Sequence, residues 1–293
     1  MNHFEPLFDN HKAYFNTNVT KSYQWRIEQL NRLARLLTEN QQALRTAICQ
    51  DFKTASEESL FEVTAPLGVI AGAKSQLADW MKPVECLLPK FLRDSGHKAM
   101  IYREPYGVNL VMGPFNGPLL LLFDPTVNAL AAGNPCILKL SDQIPKTSSL
   151  VLELVPNYFE PGAVSAVTGG IEENTELLKL PFDFIFFTGS VPVGKVVMRA
   201  AVENLTPMLL ELGGQNPAFV DTTANLKDAA KKIVWGAMAR GGQWCTSPGH
   251  ACVHESIAEP FVAECKKVIV ELYGADPKNN SDYSRIISDR ELA

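Results

Sequence analysis

The sequence lacks the marks of a membrane span, a secretion leader or a nucleic-acid-binding surface. Its longest uncharged stretch, 106–123, contains Gly107, Gly113, Pro114, Asn116, Gly117 and Pro118. A spanning helix does not carry so many breakers and amides, so the stretch reads as a buried strand, a loop and the start of a helix. Residues 1–8 have no apolar core behind a basic start, so no signal peptide is expected and the chain is placed in the cytoplasm. The net charge is −5, with acidic and basic residues interleaved. No basic stripe is present to meet phosphates, and no nucleic-acid partner is expected. The six cysteines, Cys49, Cys86, Cys136, Cys245, Cys252 and Cys265, include no C-x-x-C pair. A zinc site or disulfide framework therefore has no support, no metal is expected, and the thiols read as reduced. By default each cysteine is a small buried hydrophobe. Internal repeats and low-complexity segments are also missing. What remains is ordinary globular composition, 46% apolar and 20% charged over 293 residues. That length suits one large domain or two ordinary ones.

An apolar face recurs at spacings of three, four or seven through Tyr23, Ile27, Leu30, Leu33, Ala34, Leu37, Leu44 and Ile48. It predicts a helix over 21–48. A second helix is expected over about 57–81. Pro83 and Pro89 then break the pattern, and 90–102 reads as an irregular or hairpin segment. From Gly107 short apolar runs alternate with helical segments. The runs lie at 108–112, 136–140, 163–167 and 184–187, and the helices near 119–132, 146–155, 173–178 and 193–202. Runs that are apolar throughout suit strands covered on both faces. The alternation predicts an α/β fold with an open, doubly wound parallel sheet, whose ligands sit at the C-terminal ends of the strands. A second unit is expected from near Pro207, with strands at 208–212 and 218–220 and helices at 226–240 and 257–273. The chain stops at Ala293 without a closing element, which reads as an interruption.

Four segments carry more than packing. In Gly113-Pro114-Phe115-Asn116-Gly117-Pro118 a rigid loop follows an apolar strand. Asn116 offers an amide for a developing oxyanion, or is a plain turn asparagine. In Leu138-Lys139-Leu140-Ser141-Asp142 a lysine and an acid at a strand end can hold ribose hydroxyls, or are simply solvated. Phe187-Thr188-Gly189-Ser190-Val191-Pro192-Val193-Gly194 joins a strand to a helix, where N–H groups and the helix dipole suit a phosphate. It is not the usual G-x-G-x-x-G spacing, and Ser190 there is equally a helix cap. The last segment pairs Leu210-Glu211-Leu212-Gly213-Gly214 with Gly241-Gly242-Gln243-Trp244-Cys245. A carboxylate inside an apolar strand needs a partner or a function. Glu211 is expected to be buried and fit for general-base work, or else to form a structural ion pair. Cys245, among small neighbours, has room for a substrate, or is a packed thiol. Trp244, Trp235 and Phe115 can line an aromatic tunnel or fill a core.

Taken together, these segments make the chain resemble the aldehyde dehydrogenase superfamily. GPFNGP, LKLSD, FTGSVPVG, LELGGQNP and GQWC occur in the family's order and spacing over the whole chain. The short N-terminus, YREPYGVNLVMGPFNGP and LTPMLLELGG are most similar to the class 3 and fatty or coniferyl aldehyde branch. The resemblance implies a Rossmann-like NAD(P)-binding domain over 1–206, with N-terminal helices and a dimerisation hairpin at 83–104. It implies the first part of an α/β catalytic domain over 207–293. It further implies oxidation of an aldehyde to a carboxylic acid with NAD or NADP, through a cysteine thiohemiacetal and thioester. Cys245 is then the nucleophile, Asn116 and the Cys245 N–H the oxyanion donors, and Glu211 the base for water. Lys139, Asp142, Gly170, Gly189, Ser190, Gly194 and Gly213 fall around the cofactor, and a homo-oligomer is implied for a full-length form. Trp244 stands where a small residue is usual, Gln215 and Asn216 where lysine and serine are, and Gly117 where an aromatic is common. These departures bear on substrate shape more than on the reaction. Family members also continue well beyond this length. Two other readings stay open: an acyl-phosphate or acyl-CoA reductase relative, against which Glu211 argues, and a truncated non-catalytic fragment.

Overall fold

The computed structural model describes residues 2–52 and 56–292. It begins with α1 (Glu5–Asn16), a helix with no counterpart in the sequence pattern. The helix expected over 21–48 is two helices, α2 (Tyr23–Glu39) and α3 (Gln41–Phe52), divided at Asn40. Ser22 starts α2 by accepting from the Trp25 N–H at 3.2 Å. Asn40 ends it: its side chain donates to the Leu36 carbonyl at 2.9 Å and to the Tyr158 hydroxyl at 2.8 Å. The break is hidden in the pattern because both helices bury their apolar residues, Leu33, Leu37, Leu44 and Ile48 among them, in one cluster. α4 (Ser56–Trp80) is the second expected helix.

A projecting hairpin follows. β1 (Val84–Glu85) pairs antiparallel with β2 (Met100–Ile101), and α5 (Lys90–Asp94) lies between them. Leu87, Phe91 and Tyr102 on it are exposed.

The centre of the molecule is a five-stranded parallel sheet. Its strands are β3 (Asn109–Met112), β4 (Cys136–Lys139), β5 (Val164–Val167), β6 (Phe184–Gly189) and β7 (Met208–Leu212), in the order β5-β4-β3-β6-β7. The crossovers are α6 (Leu120–Ala131), α7 (Pro145–Tyr158), α8 (Ile171–Leu177) and α9 (Val191–Glu203). The four runs expected as strands are all present. They are apolar throughout because alternate residues enter two different clusters. Val111 and Leu138 join the helices α2, α4, α6 and α7 on one face. Leu110, Ile137 and Ile185 join Phe4, Phe8 and Val197 on the other.

The strand expected to open a second unit near Pro207 is instead the fifth strand of this sheet. The α9 crossover returns β7 alongside β6, with Ile185 facing Met208 and Thr188 facing Glu211 in register. Past Leu212, β8 (Asn216–Val220) and β9 (Pro248–Val253) form a separate parallel pair. α10 (Leu226–Met238) and α11 (Ala258–Tyr273) pack on it through Val220, Ala230, Val234, Phe261 and Val268. The helix expected over 226–240 stops at Met238, because Arg240 and Gly241 take left-handed φ of 53° and 65°. A short α12 (Asp289–Leu292) ends the description. Among the described residues no helix is long and apolar enough to cross a membrane.

Candidate active site

From β3 the chain builds the sheet outward through β4 to β5, then returns to the other side of β3 with β6 and β7. The strand order thus reverses between β3 and β6, and crevices at such a reversal, outside the strand C-terminal ends, are where open α/β sheets hold ligands. The loop after β3 carries Asn116, and the turn after β6 carries Ser190, directly after Gly189 at the strand's end. Lys139 and Asp142 stand at the end of β4, Gly170 follows β5, and Glu211 and Gly213 are at the end of β7.

Three expected residues are brought together. After α10 the left-handed residues Arg240, Gly241 and Gly242 reverse the chain, and Gln243-Trp244-Cys245 runs back toward the sheet. The Asn116 side chain donates to the Gln243 carbonyl at 2.6 Å, which leaves its second N–H for another acceptor. Its Oδ1 is buried and has no partner among the described residues. Asn216 holds the other side of the turn, its amide donating to the carbonyls of Cys245 at 2.8 Å and Ser247 at 2.9 Å. Partial burial pushes the Cys245 thiol above its ordinary pKa, and the charge of Glu211 acts in the same direction. The N–H groups of Cys245 and Thr246 oppose both.

Glu211 itself is not buried as expected. The alternation of β7 sends Met208, Leu210 and Leu212 toward the apolar cluster and leaves Leu209 and Glu211 exposed on the other face. Among the described residues little packs on this face of β7, where Leu209 is 47% exposed. The register partner of Glu211, Thr188, has a buried hydroxyl without a partner among the described residues. Of the aromatics, Trp235 lies exposed on α10. Trp244 is half-buried beneath the Arg240 guanidinium, 4.6 Å from its ring centre.

Two residues that no motif announced lie under this site. Arg240 is 1% exposed, and its guanidinium pairs with Glu62 of α4 at 2.5 Å, both side chains fully buried. It also donates to the Asn116 carbonyl at 2.9 Å and to the Glu58 carbonyl at 3.3 Å. Its backbone N–H donates to the Glu58 carboxylate at 2.9 Å. Glu62 accepts from the N–H groups of Leu119 and Leu120 at 2.9 and 3.0 Å, where α6 begins. Burial pushes the Glu62 carboxyl upward, while Arg240 and these two N–H groups pull it down. The sequence signal was a glutamate on the apolar side of α4, next to Val63, since a charge there needs a partner.

The cofactor-type residues form two groups. Lys139 is buried at the end of β4, where desolvation lowers its ammonium and the charges of Asp142 and Glu173 raise it. Asp142 is exposed, and its Oδ2 lies 3.6 Å from where a side chain on Gly170 would begin. Glu173 accepts from the Gly170 N–H at 2.7 Å and so caps α8. In the second group Gly189 and Ser190 lead into α9. Ser190 occupies the N-cap position but its side chain makes no capping bond, so it does not serve as the cap. Pro192 in the first turn of this helix of 13 residues has no N–H, and no side chain at the cap position serves those of Val191 and Val193 among the described residues. Gly194 is buried, and a Cβ there would stand 2.8 Å from Leu212 Cδ2, so its absence lets α9 lie against β7. Gly213 has open space around it. The uncapped start of α9, a lysine at the C-terminal end of β4 and the missing side chain of Gly170 beside Asp142 fit an anionic dinucleotide. Among the described residues no cluster of three or more His, Cys, Asp or Glu could hold a metal ion.

A family model described as the aldehyde dehydrogenase family matches residues 5–293. The chain is 39% identical over 279 residues to the dimeric NADP-preferring aldehyde dehydrogenase of Rattus norvegicus, covering 95% of this chain and 61% of that protein. It is 38% identical over 296 residues to a probable coniferyl aldehyde dehydrogenase of Pseudomonas aeruginosa, covering 100% of this chain and 61% of that protein. Its fold matches the substrate-bound state of Staphylococcus aureus AldH with a TM-score of 0.94 at 37% identity, over 98% of this chain and 63% of that one. The chain therefore spans somewhat less than two thirds of each of these relatives. With the match covering nearly every residue, the chain belongs to the aldehyde dehydrogenase family.

Proposed function

We propose that this chain carries the cofactor-binding and nucleophile-bearing parts of an enzyme that oxidises an aldehyde to a carboxylic acid with NAD or NADP. In this reading residues 1–206 together with β7 hold the cofactor, and the remainder to 293 carries Cys245. The observation that supports it best is the convergence of the Asn116 amide, the Cys245 thiol and the Glu211 carboxylate at the C-terminal edge of the sheet.

The Cys245 thiol gives its proton to solvent water and its Sγ attacks the aldehyde carbon, opening the C=O π bond. The new C–S bond places negative charge on the former carbonyl oxygen. The free N–H of Asn116 and the N–H of Cys245 receive that charge. A bound nicotinamide supplies the two-electron acceptor for the substrate carbon. The acyl group is then held on Cys245 as a thioester. Glu211, exposed and therefore in reach of water, takes a proton from a water molecule as its oxygen attacks the acyl carbon. The C–S bond breaks and the acid departs, so two easier steps replace one difficult one. A reductase relative would have to keep water from the thioester, and an open carboxylate whose charge reaches the thiol argues against that.

Lys139 and Asp142 are assigned to the adenosine ribose. Gly189, Ser190 and the start of α9 are assigned to the pyrophosphate, with Gly170 and Gly213 leaving room. Lys139 would welcome a 2′-phosphate and Asp142 would repel it. These opposed terms, about 1 kcal/mol each, fit use of either cofactor. The hairpin at 83–104, with Leu87 and Phe91 exposed, is assigned to pairing with a second copy.

The test is Cys245→Ala. We expect formation of reduced cofactor with a panel of aldehydes to vanish, while calorimetric cofactor affinity is kept. Normal turnover in that variant would overturn the assignment.

A further inference from the structure

The oxyanion donor and the nucleophile come from different elements, Asn116 from the loop after β3 and Cys245 from the segment after α10. Their relative placement must be fixed by something neither motif contains. We propose that Arg240 is a positioning residue, whose buried guanidinium, anchored on Glu62, locks the Asn116 loop to the Cys245 segment. The inference rests on the catalytic reading of those two residues given above.

The conformation of Arg240 is the first support. Its φ of 53° and ψ of 31° lie in the left-handed region, which side chains with a Cβ avoid and glycine tolerates. Glycine fills the next two positions, yet this one carries a long charged side chain. A strained residue persists where its surroundings fix it.

Its contacts are the second. One planar fork meets Glu62 of α4, the Asn116 carbonyl and the Glu58 carbonyl, and the Trp244 ring lies beneath it. Glu62 extends the connection to the N–H groups of Leu119 and Leu120, at the far end of the same loop. Asn116 is consequently tied to the nucleophile's segment twice, by its carbonyl to Arg240 and by its side chain to the Gln243 carbonyl. A buried ion pair adds little stability over an apolar pair of similar shape. Its value here is geometric. Lysine offers a point charge, and cannot span Glu62 and the Asn116 carbonyl as the fork does.

The test is a double-mutant cycle between Arg240 and Asn116, read by acylation of Cys245 with p-nitrophenyl acetate. That reaction needs the thiol and the oxyanion donor but no cofactor. Asn116→Ala should slow the nitrophenolate burst about a hundredfold. Arg240→Lys should slow it roughly tenfold through the acylation rate constant, with ester and cofactor affinities kept. In the Asn116→Ala background Arg240→Lys should add less than about twofold, because residues acting through one another are not additive. If melting shows that Arg240→Lys does not fold, Arg240→Gln with Glu62→Gln removes both buried charges together and carries the same cycle. A wild-type rate in the Arg240 variant, or an equal loss in both backgrounds, overturns the inference alone. A wild-type chain that is not acylated at Cys245 overturns the catalytic reading, and the inference with it.

Discussion

At the scale of single residues, Cys245 is a thiol that resists ionisation. Burial and the Glu211 charge both raise the Cys245 pKa. Below that raised value the sulfur keeps its proton, and attack on an electrophile is slow. The rate of Cys245 alkylation by iodoacetamide should therefore rise with pH, through a midpoint above that of a free cysteine. Glu211→Gln should move the midpoint down, since one of the two upward pushes is gone. The same variant should show rapid acylation followed by slow turnover, because the proposed water-activating base is lost. An unmoved midpoint would show that the Glu211 charge does not reach the sulfur. Cys245, Glu211 and Asn116 stand out in the sequence as reactive side chains set among glycines or in an apolar strand, while their roles follow from the family resemblance and are proposed. The exposure of Glu211 was not legible. It depends on which face of β7 is packed against, and a strand's own residues do not say that. The Arg240–Glu62 pair joins elements far apart in the chain, and only the fold brings them into contact.

At the scale of elements, α1 is docked on the sheet through His11. The imidazole is fully buried, with Nδ1 3.2 Å from the Leu7 carbonyl and Nε2 3.2 Å from the Cys136 carbonyl of β4. Burial lowers its pKa from 6.5 to about 4, with the two carbonyls opposing the shift. A depressed histidine stays neutral when folded, so the unfolded chain takes up protons first as the pH falls. The contribution of His11 is thus intact above pH 6.5 and is lost between there and about pH 4, by roughly 3 kcal/mol in all. Urea unfolding at pH 7 and pH 4.5 should show a smaller pH dependence for His11→Gln than for wild type. Equal slopes would remove His11 from the account. The sheet strands were legible as elements because apolar side chains on both faces leave uninterrupted runs. β9 was not, since Pro248, Gly249 and His250 interrupt its start. The break at Asn40 leaves no mark in the apolar pattern because the buried face continues across it.

At the scale of the molecule, the doubly wound sheet and the placement of the Asn116, Lys139, Gly170, Gly189 and Gly213 segments at its C-terminal edge follow from strand–helix alternation, whereas the Cys245 segment comes from the end of α10. The seam near Pro207 does not follow from that alternation. The pattern of β7 is the same whether it pairs with β6 or opens a new sheet, and the α9 crossover settles it by bringing the strand back beside β6. The proposed chemistry rests on two sheet-edge segments, the Asn116 loop after β3 and the Glu211 end of β7, meeting the Cys245 segment. The measurement that tests it most directly is mass spectrometry of Glu211→Gln mixed with an aldehyde and oxidised cofactor, then quenched in acid. An added acyl mass is expected on the peptide that contains Cys245, and no such mass in Cys245→Ala. Formation of reduced cofactor with Cys245 left unmodified throughout would contradict it.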